Sequence, residues 1–486
     1  MNVINILIDS LNRRMIGPYG GEVPTPNMDR LAGRGVVFDN YFIGSAPCMP
    51  ARRELMTGRK EFFWRGWGPM EPFDRHIAAA AKSAGAVTAM VTDHYHYWEN
   101  SAHGYFERFD CVRMIRGHEL DMYSTDVLES VPRWAANIDK WRPGWGTRYY
   151  NNVKDFGGED DFFSPKTLGE ASAWLEKNHS HDKFMLWVEC FDAHEPFHVP
   201  EPYASMFTDG NPDDYNCWPP YQDGYCGRNE KWWAQADPKE LEFIRAQYKG
   251  KVAMIDAHLG KLLDKLDEHD LWENTMVVLT TDHGHELGEK GRFGKQPPNY
   301  DLNAHIPLII CAPGIEPGRR DALATAVDVC PTILEALGAN CSVPHGRSLM
   351  PLLRGETARH RDAVVYGTFG YGATISDAHH TYHTSWDNSA PLFEYSANMP
   401  YPSPDATGGA YIPGVGCPVW KMPRNGPREL PPYPELLFDR KNDPGQDRNI
   451  LSENPGARTA MRELLRREMQ SEGVPEEQYR RLMLNR

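Results

Sequence analysis

The sequence predicts an α/β protein. A large, mostly parallel sheet sandwiched by helices is expected over residues 1–360, and a smaller α+β domain containing an antiparallel sheet over residues 361–486. Three observations carry this. Short apolar runs without polar alternation recur through the first 340 residues, as strands covered on both faces require. Helical patterns separate those runs, the alternation that builds a helix-covered sheet. After about residue 360 the texture shifts to short strands of antiparallel type followed by one helix.

Taken in order, residues 3–8 form the first strand and stop at Asp9. Residues 86–92 form a second and run into Asp93, His94 and His96. Residues 184–190 run into Asp192 and His194, and residues 276–280 into Asp282, His283 and His285. A fifth parallel strand is expected at residues 306–310. The clearest helix spans residues 241–266, where Ile244, Tyr248, Val252, Ile255, Leu259, Leu262, Leu263 and Leu266 form one apolar stripe.

Residues 135–235 are rich in Trp, Tyr, Asp, Pro and Gly and weakly periodic. They predict a loop-rich insertion over one edge of the sheet, a kind of segment often used as a lid. Within it Trp218, Tyr221, Trp232 and Trp233 are candidates to line a substrate cleft, with ordinary packing as the alternative. In the C-terminal domain, residues 364–369, 373–376, 380–385 and 435–439 read as strands and 455–471 as a helix, with an irregular excursion over 398–433. His379, His380 and His383 read as solvent-facing strand residues. The tail over 475–486 fits packing on a neighbouring subunit, and so a homo-oligomer, with a frayed end as the equal alternative.

Composition narrows the function classes. With 41 % hydrophobic residues the chain is not disordered. With 52 basic and 67 acidic residues its net charge is −15, which argues against a nucleic-acid partner. An anionic substrate stays open, because local charge can oppose the global sign. No leader is visible and no apolar run approaches the ~20 residues that span a bilayer, so the reading is cytoplasmic with no membrane partner. Nine cysteines without a CxxC pair fit reduced thiols.

Chemistry is expected where the strands end. One Asp after a strand is commonly a turn former or helix cap. Four strands that each end in Asp or His imply a metal or polyanion site, because parallel strands present their carboxyl ends on one edge of the sheet. A second signal is Cys48-Met49-Pro50-Ala51-Arg52, followed by Leu55-Met56-Thr57-Gly58. Pro50 suits a first helical turn, which places Cys48 in the positive potential of a helix start. Arg52 lies one turn along the same face, where it can clamp an anion.

Cys-x-Pro-x-Arg with a Thr-Gly ending resembles the signature of the sulfatase family, within the alkaline phosphatase superfamily. Asn5-Ile6-Leu7-Ile8-Asp9 resembles the family's opening strand, Thr25-Pro26-Asn27-Met28-Asp29-Arg30-Leu31 its early Thr-Pro-Asn segment, and Thr281-Asp282-His283-Gly284 its second metal motif. Asp328 to Leu337, Gly346-Arg347-Ser348-Leu349 and Glu435-Leu436-Leu437-Phe438-Asp439 with Asp443-Pro444 are similar to later family segments, in the family's order.

The resemblance implies an alkaline-phosphatase-like fold, with residues 1–360 as the catalytic domain. It implies a sulfuric ester hydrolase whose Cys48 is oxidised to formylglycine by a formylglycine-generating enzyme. The hydrated aldehyde attacks sulfur or phosphorus, and its second hydroxyl later expels the anion. One divalent cation, Ca²⁺ or Mn²⁺ with Mg²⁺ or Zn²⁺ as further options, would be held by Asp9, Cys48, Asp282 and His283. Arg52 would steady the diol, His194 would protonate the leaving oxygen, and Lys295 would bind the transferred anion. His94 and His96 fall where many sulfatases carry Lys-x-His, which gives His94 a substrate-binding and His96 a catalytic expectation.

Asp282-His283, with Pro47 before the cysteine, is similar to the phosphonate monoester hydrolase branch, which looks manganese-dependent. The alternative substrates are therefore phosphonate monoesters or phosphodiesters. A non-catalytic anion-binding module is the third reading, raised by the unusual Met49. Arg116-Gly117-His118 is a further candidate segment to reach the site.

Overall fold

A computed structural model describes residues 1–99, 103–220, 232, 235–399, 401–425 and 432–484. Its centre is an eight-stranded sheet. The order across it is Gly318–Arg320, Val36–Phe38, Leu308–Cys311, Thr275–Thr280, Asn2–Ile8, Phe184–Cys190, Val87–Thr92 and Cys111–Met114. The four strands that end in Asp or His are four consecutive neighbours in this order. In-register pairs such as Leu7 with Thr280, Ile8 with Cys190, and Thr92 with Glu189 bring their carboxyl ends level on one edge.

Both faces of the sheet are covered, which explains the unalternating runs. Val3 and Leu7 pack into one apolar cluster, while Ile4, Ile6 and Ile8 of the same strand pack into the other. The long helix Pro238–Glu268 lays its apolar stripe on the second cluster, and Asp237 caps its start by accepting the Lys239 N–H.

Two expectations change here. The strand expected at 306–310 is Leu308–Cys311, and it runs antiparallel to both neighbours. A parallel successor needs a crossover to the opposite edge. The chain from Asp282 to His305 instead stays at the carboxyl edge, so the next strand must run back. The segment read as loops carries the helices Arg133–Asp139, Trp145–Val153 and Phe163–Asn178. Their buried positions include Asn137, Asn152, Ser164, Thr167 and Ser172, polar residues that blur the apolar period. Trp218 is buried against Trp145 and Tyr149, and Trp232 is buried in the main core; Tyr221 and Trp233 lie outside the described residues.

The C-terminal part holds a five-stranded sheet in the order Leu436–Asp439, His380–His383, Ala373–Ser376, Val364–Thr368 and Ser45–Ala46. The first four are antiparallel, as expected, and the helix Pro455–Glu472 covers the core beneath them. The fifth comes from the segment just before Cys48 and pairs parallel with Val364–Thr368. A three-stranded sheet of Leu392–Ser396, Val419–Arg424 and Thr407–Gly409 lies beside it. His379 is exposed and His380 half-buried, but His383 is fully buried and its Nδ1 sits 2.8 Å from Thr374 Oγ1. Among the described residues no helix is long and apolar enough to cross a membrane.

Candidate active site

Cys48 opens the helix Cys48–Thr57, all of whose residues are buried. The helix is fixed at both ends. Ser45–Ala46 is stitched to the C-terminal sheet, and the Ser45 hydroxyl accepts the N–H groups of Glu61 and Phe62. Gly58 closes the last turn at φ +64°, a left-handed conformation that suits glycine, and its N–H returns to the Glu54 carbonyl.

Glu54 anchors the same turn by accepting the Ser45 N–H. Burial pushes its carboxyl up to about 8, against the opposing pull of Lys60 and Ser45. A carboxyl raised above its ordinary 4.5 contributes stability that is complete below pH 4.5 and is lost as pH rises through about 8. Glu54→Gln keeps an acceptor and removes that titration. Its stability should match the parent near pH 4 and exceed it by about 4 kcal/mol at pH 8, measured by urea unfolding at each pH.

The strand ends converge on Cys48. Asp9, Cys48, Asp282 and His283 are buried, and one ligand atom from each lies within 4.8 Å of all the others. Cys48 Sγ is 3.3 Å from His283 Nε2 and 3.3 Å from Lys295 Nζ. His283 Nδ1–H donates to the Gly284 carbonyl at 2.9 Å, which turns Nε2 toward the cluster. Asp282 Oδ1 accepts the N–H groups of Ser10 and His283, and Asp9 Oδ1 accepts the Ser10 hydroxyl.

Arg52 sits beneath this cluster with no exposure to solvent. Its guanidinium donates to Asp9 Oδ2 at 2.7 Å, to Asp282 Oδ2 at 2.7 Å and to Glu189 Oε1 at 2.5 Å, and also to the Cys48 carbonyl at 3.2 Å. Its contacts hold the Asp9 and Asp282 carboxylates in place. Glu189 escaped the sequence reading because it lies inside an apolar strand; the readable signal was a single charge in a buried run.

The charges are arranged unequally. Burial works against an ionised Asp282, but His283 and Arg52 hold it well below the usual carboxylate range. Burial and the Asp282 charge push Asp9 up to about 8, against Arg52 and Lys295. Burial and the Asp9 charge also push the Cys48 thiol up. Two carboxylates that cannot both ionise in one buried site, joined by an imidazole nitrogen and a sulfur position, fit a divalent cation well. Lys295 is held protonated against its burial by Cys48, Asp9 and Glu195.

The other predicted residues gather around Phe191. Its ring stacks on His194 at 4.4 Å and meets His94 at 4.4 Å and His96 at 5.5 Å edge-on. His194 Nδ1–H donates to the Glu195 carbonyl at 2.9 Å. Burial and the Lys295 charge hold His194 well below its usual range. Burial, then Arg52, His96 and Lys295, do the same to His94, so the two groups share one electrostatic field. His94 is fully buried and neither ring nitrogen has a hydrogen-bond partner among the described residues. His96 Nδ1 lies 2.9 Å from Glu99, and its Nε2 lies 3.7 Å from Glu119. His118 reaches Asp192, while Arg116 pairs with Asp121.

A family model described as Sulfatase matches residues 1–339. The multifunctional alkaline phosphatase superfamily protein PehA of Trinickia caryophylli is 28 % identical over 393 residues, 70 % of this chain and 74 % of that protein. The choline-sulfatase of Rhizobium meliloti is 23 % identical over 379 residues, 73 % and 72 % of the two chains. In fold, the phosphonate monoester hydrolase of Agrobacterium radiobacter is similar at a TM-score of 0.66 and 21 % identity, with 97 % of this chain and 96 % of that chain covered. With the family model spanning well over half its length, the chain belongs to the sulfatase family, the sulfuric ester hydrolases.

Proposed function

We propose that the protein hydrolyses small sulfate esters at residue 48, after Cys48 has become formylglycine, with one divalent cation held by Asp9, residue 48, Asp282 and His283. The observation that carries this reading is the convergence of two carboxylates, one imidazole and the Lys295 ammonium on Cys48 Sγ. A thiol pushed up by burial is a poor nucleophile near neutral pH, which favours a changed chemistry at this position. A cation held by Asp9, Asp282 and His283 would lower the pKa of a hydroxyl on the hydrated aldehyde at residue 48, which would serve as the nucleophile.

The remaining work falls to side chains of this chain. Arg52 keeps Asp9 and Asp282 in place from beneath. Lys295, 3.3 Å from Sγ, is placed to meet the oxygens of the transferred group. His194, held neutral with its Nδ1–H on the Glu195 carbonyl, takes up a proton as the anionic ester binds beside it and delivers that proton to the leaving oxygen, and His94 and His96 flank the substrate. Specificity for the organic part would lie in the aromatic-rich 135–235 insertion and the 370–430 region. A formylglycine-generating enzyme is the implied maturation partner.

Two carboxylates and an imidazole make a site better matched to Mn²⁺ than to Ca²⁺, which prefers all-oxygen shells. That same donor set favours phosphonate monoesters as a second reading. Matched aryl sulfate and aryl phosphonate esters test it: a higher kcat/KM for the sulfate supports the first reading, and a large phosphonate preference replaces it with the second. Chelation should abolish activity, with Mn²⁺ restoring more than Ca²⁺. Metal uptake near pH 7 should release a proton, because Asp9 is held at about 8 until a cation displaces it. Calorimetry in two buffers of different ionisation enthalpy measures that release.

A further inference from the structure

Behind His194 lies a buried ion network that the chemistry above leaves unused. Asp192 accepts the Ser164 hydroxyl at 2.5 Å and the His118 ring Nε2–H at 2.9 Å, and it pairs closely with the Lys251 ammonium. Lys251 belongs to the long helix Pro238–Glu268, where it sits one turn from Tyr248 and Ile255 on the apolar face. It is 1 % exposed. Its ammonium also donates to the His194 backbone carbonyl at 3.0 Å.

Desolvating an ammonium is costly, and an apolar side chain could fill this helix position without that cost. What the charge gains is a double grip on the turn from Asp192 to His194. One hydrogen bond holds the carboxylate at the start of the turn and the other holds the carbonyl of the histidine itself. Phe191 stacks against the His194 ring from the other side, and its N–H is fixed by Asp93 Oδ1 at 2.7 Å. His118 Nδ1 has no hydrogen-bond partner among the described residues, so this ring serves the network as a neutral donor through Nε2. Lys251 is thus the cation that matches Asp192.

We infer that Lys251 is a positioning residue for the leaving-group step: through Asp192 and the His194 carbonyl it fixes the imidazole that delivers the proton. This rests on the reading of His194 as the proton donor. Proton delivery matters most when the leaving oxygen is basic, and little when it leaves easily as a stabilised phenolate. Leaving-group sensitivity therefore separates positioning from general loss of structure.

The test compares the full-length, metal-loaded enzyme with His194→Ala and Lys251→Met on two sulfate esters, one of nitrophenol and one of an alkyl alcohol. His194→Ala is expected to lose on the order of 100-fold in kcat on the alkyl ester and only a few-fold on the nitrophenyl ester. Lys251→Met should show the same asymmetry, roughly 10- to 100-fold against a few-fold, with KM little changed. The double variant should fall no further than His194→Ala, because both changes remove one function. If His194→Ala is asymmetric but Lys251→Met loses equally on both esters, or loses nothing, the role of Lys251 is overturned while that of His194 stands. If His194→Ala itself shows no asymmetry, the reading of His194 fails and the role of Lys251 fails with it. Should Lys251→Met not fold, Asp192→Asn with Lys251→Met removes both charges together and is judged by the same ratio.

Discussion

Cys48→Ala is expected to abolish ester hydrolysis, with kcat/KM down by at least about 10⁴-fold, while the fold persists. The asymmetry follows from where the residue sits. Cys48 opens a helix whose hold on the protein comes from other groups: Ser45, Glu54, Gly58 and the strand Ser45–Ala46. Losing one sulfur atom there costs on the order of 1 kcal/mol of packing. Losing it from the active site removes the atom on which Asp9, Asp282, His283 and Lys295 converge. Cys48→Ser sharpens the expectation. A serine retains one hydroxyl, so it can take up a sulfuryl group, but it has no second hydroxyl with which to expel it. It should give at most a single turnover. Aryl sulfate hydrolysis by variants with parental circular dichroism measures both outcomes.

Arg52→Met should produce the largest loss of stability, about 3–5 kcal/mol in the metal-free protein. Arg52 is bonded to three carboxylates that have almost no access to water: Asp9, Asp282 and Glu189. Removing its charge leaves them facing one another. A bound cation offsets the loss for Asp9 and Asp282, so the metal-loaded variant should recover part of it. Among the described residues, Glu189 then retains the Tyr97 hydroxyl, at 2.8 Å. Adding Glu189→Gln to Arg52→Met should therefore restore stability further, a coupling that urea unfolding of the single and double variants would reveal. Activity should fall by at least about 100-fold in Arg52→Met, because Asp9 and Asp282, the two carboxylates proposed to hold the cation, lose their support.

These expectations rest on residues that the sequence exposed unequally. Asp9, Asp282, His283 and His194 were legible because each follows an apolar run, and a polar side chain at a buried strand's end is a local signal. That their three strands lie side by side was not legible. Strand order is decided by crossovers and packing rather than by any run of residues. The reversed strand Leu308–Cys311 shows the same limit: its composition suits either direction, and only the site-bearing chain before it decides. Ser45–Ala46 is too short to leave a pattern, yet it ties the C-terminal sheet to Cys48. Glu189 and Lys251 were visible only as exceptions, a charge within an apolar strand and a charge on a helix's apolar stripe. Such exceptions mark buried charges whose partners come from elsewhere in the chain. His383 was misplaced at the surface because Thr374, which hydrogen-bonds its ring, comes from the neighbouring strand.

The most direct measurement is the mass of the peptide that contains residue 48, taken from fractions of graded specific activity after co-expression with a formylglycine-generating enzyme. The expected result is an aldehyde at residue 48 whose fraction rises in proportion to activity, with negligible turnover from protein that retains the thiol. Full specific activity in protein whose Cys48 is unmodified would contradict the proposed chemistry.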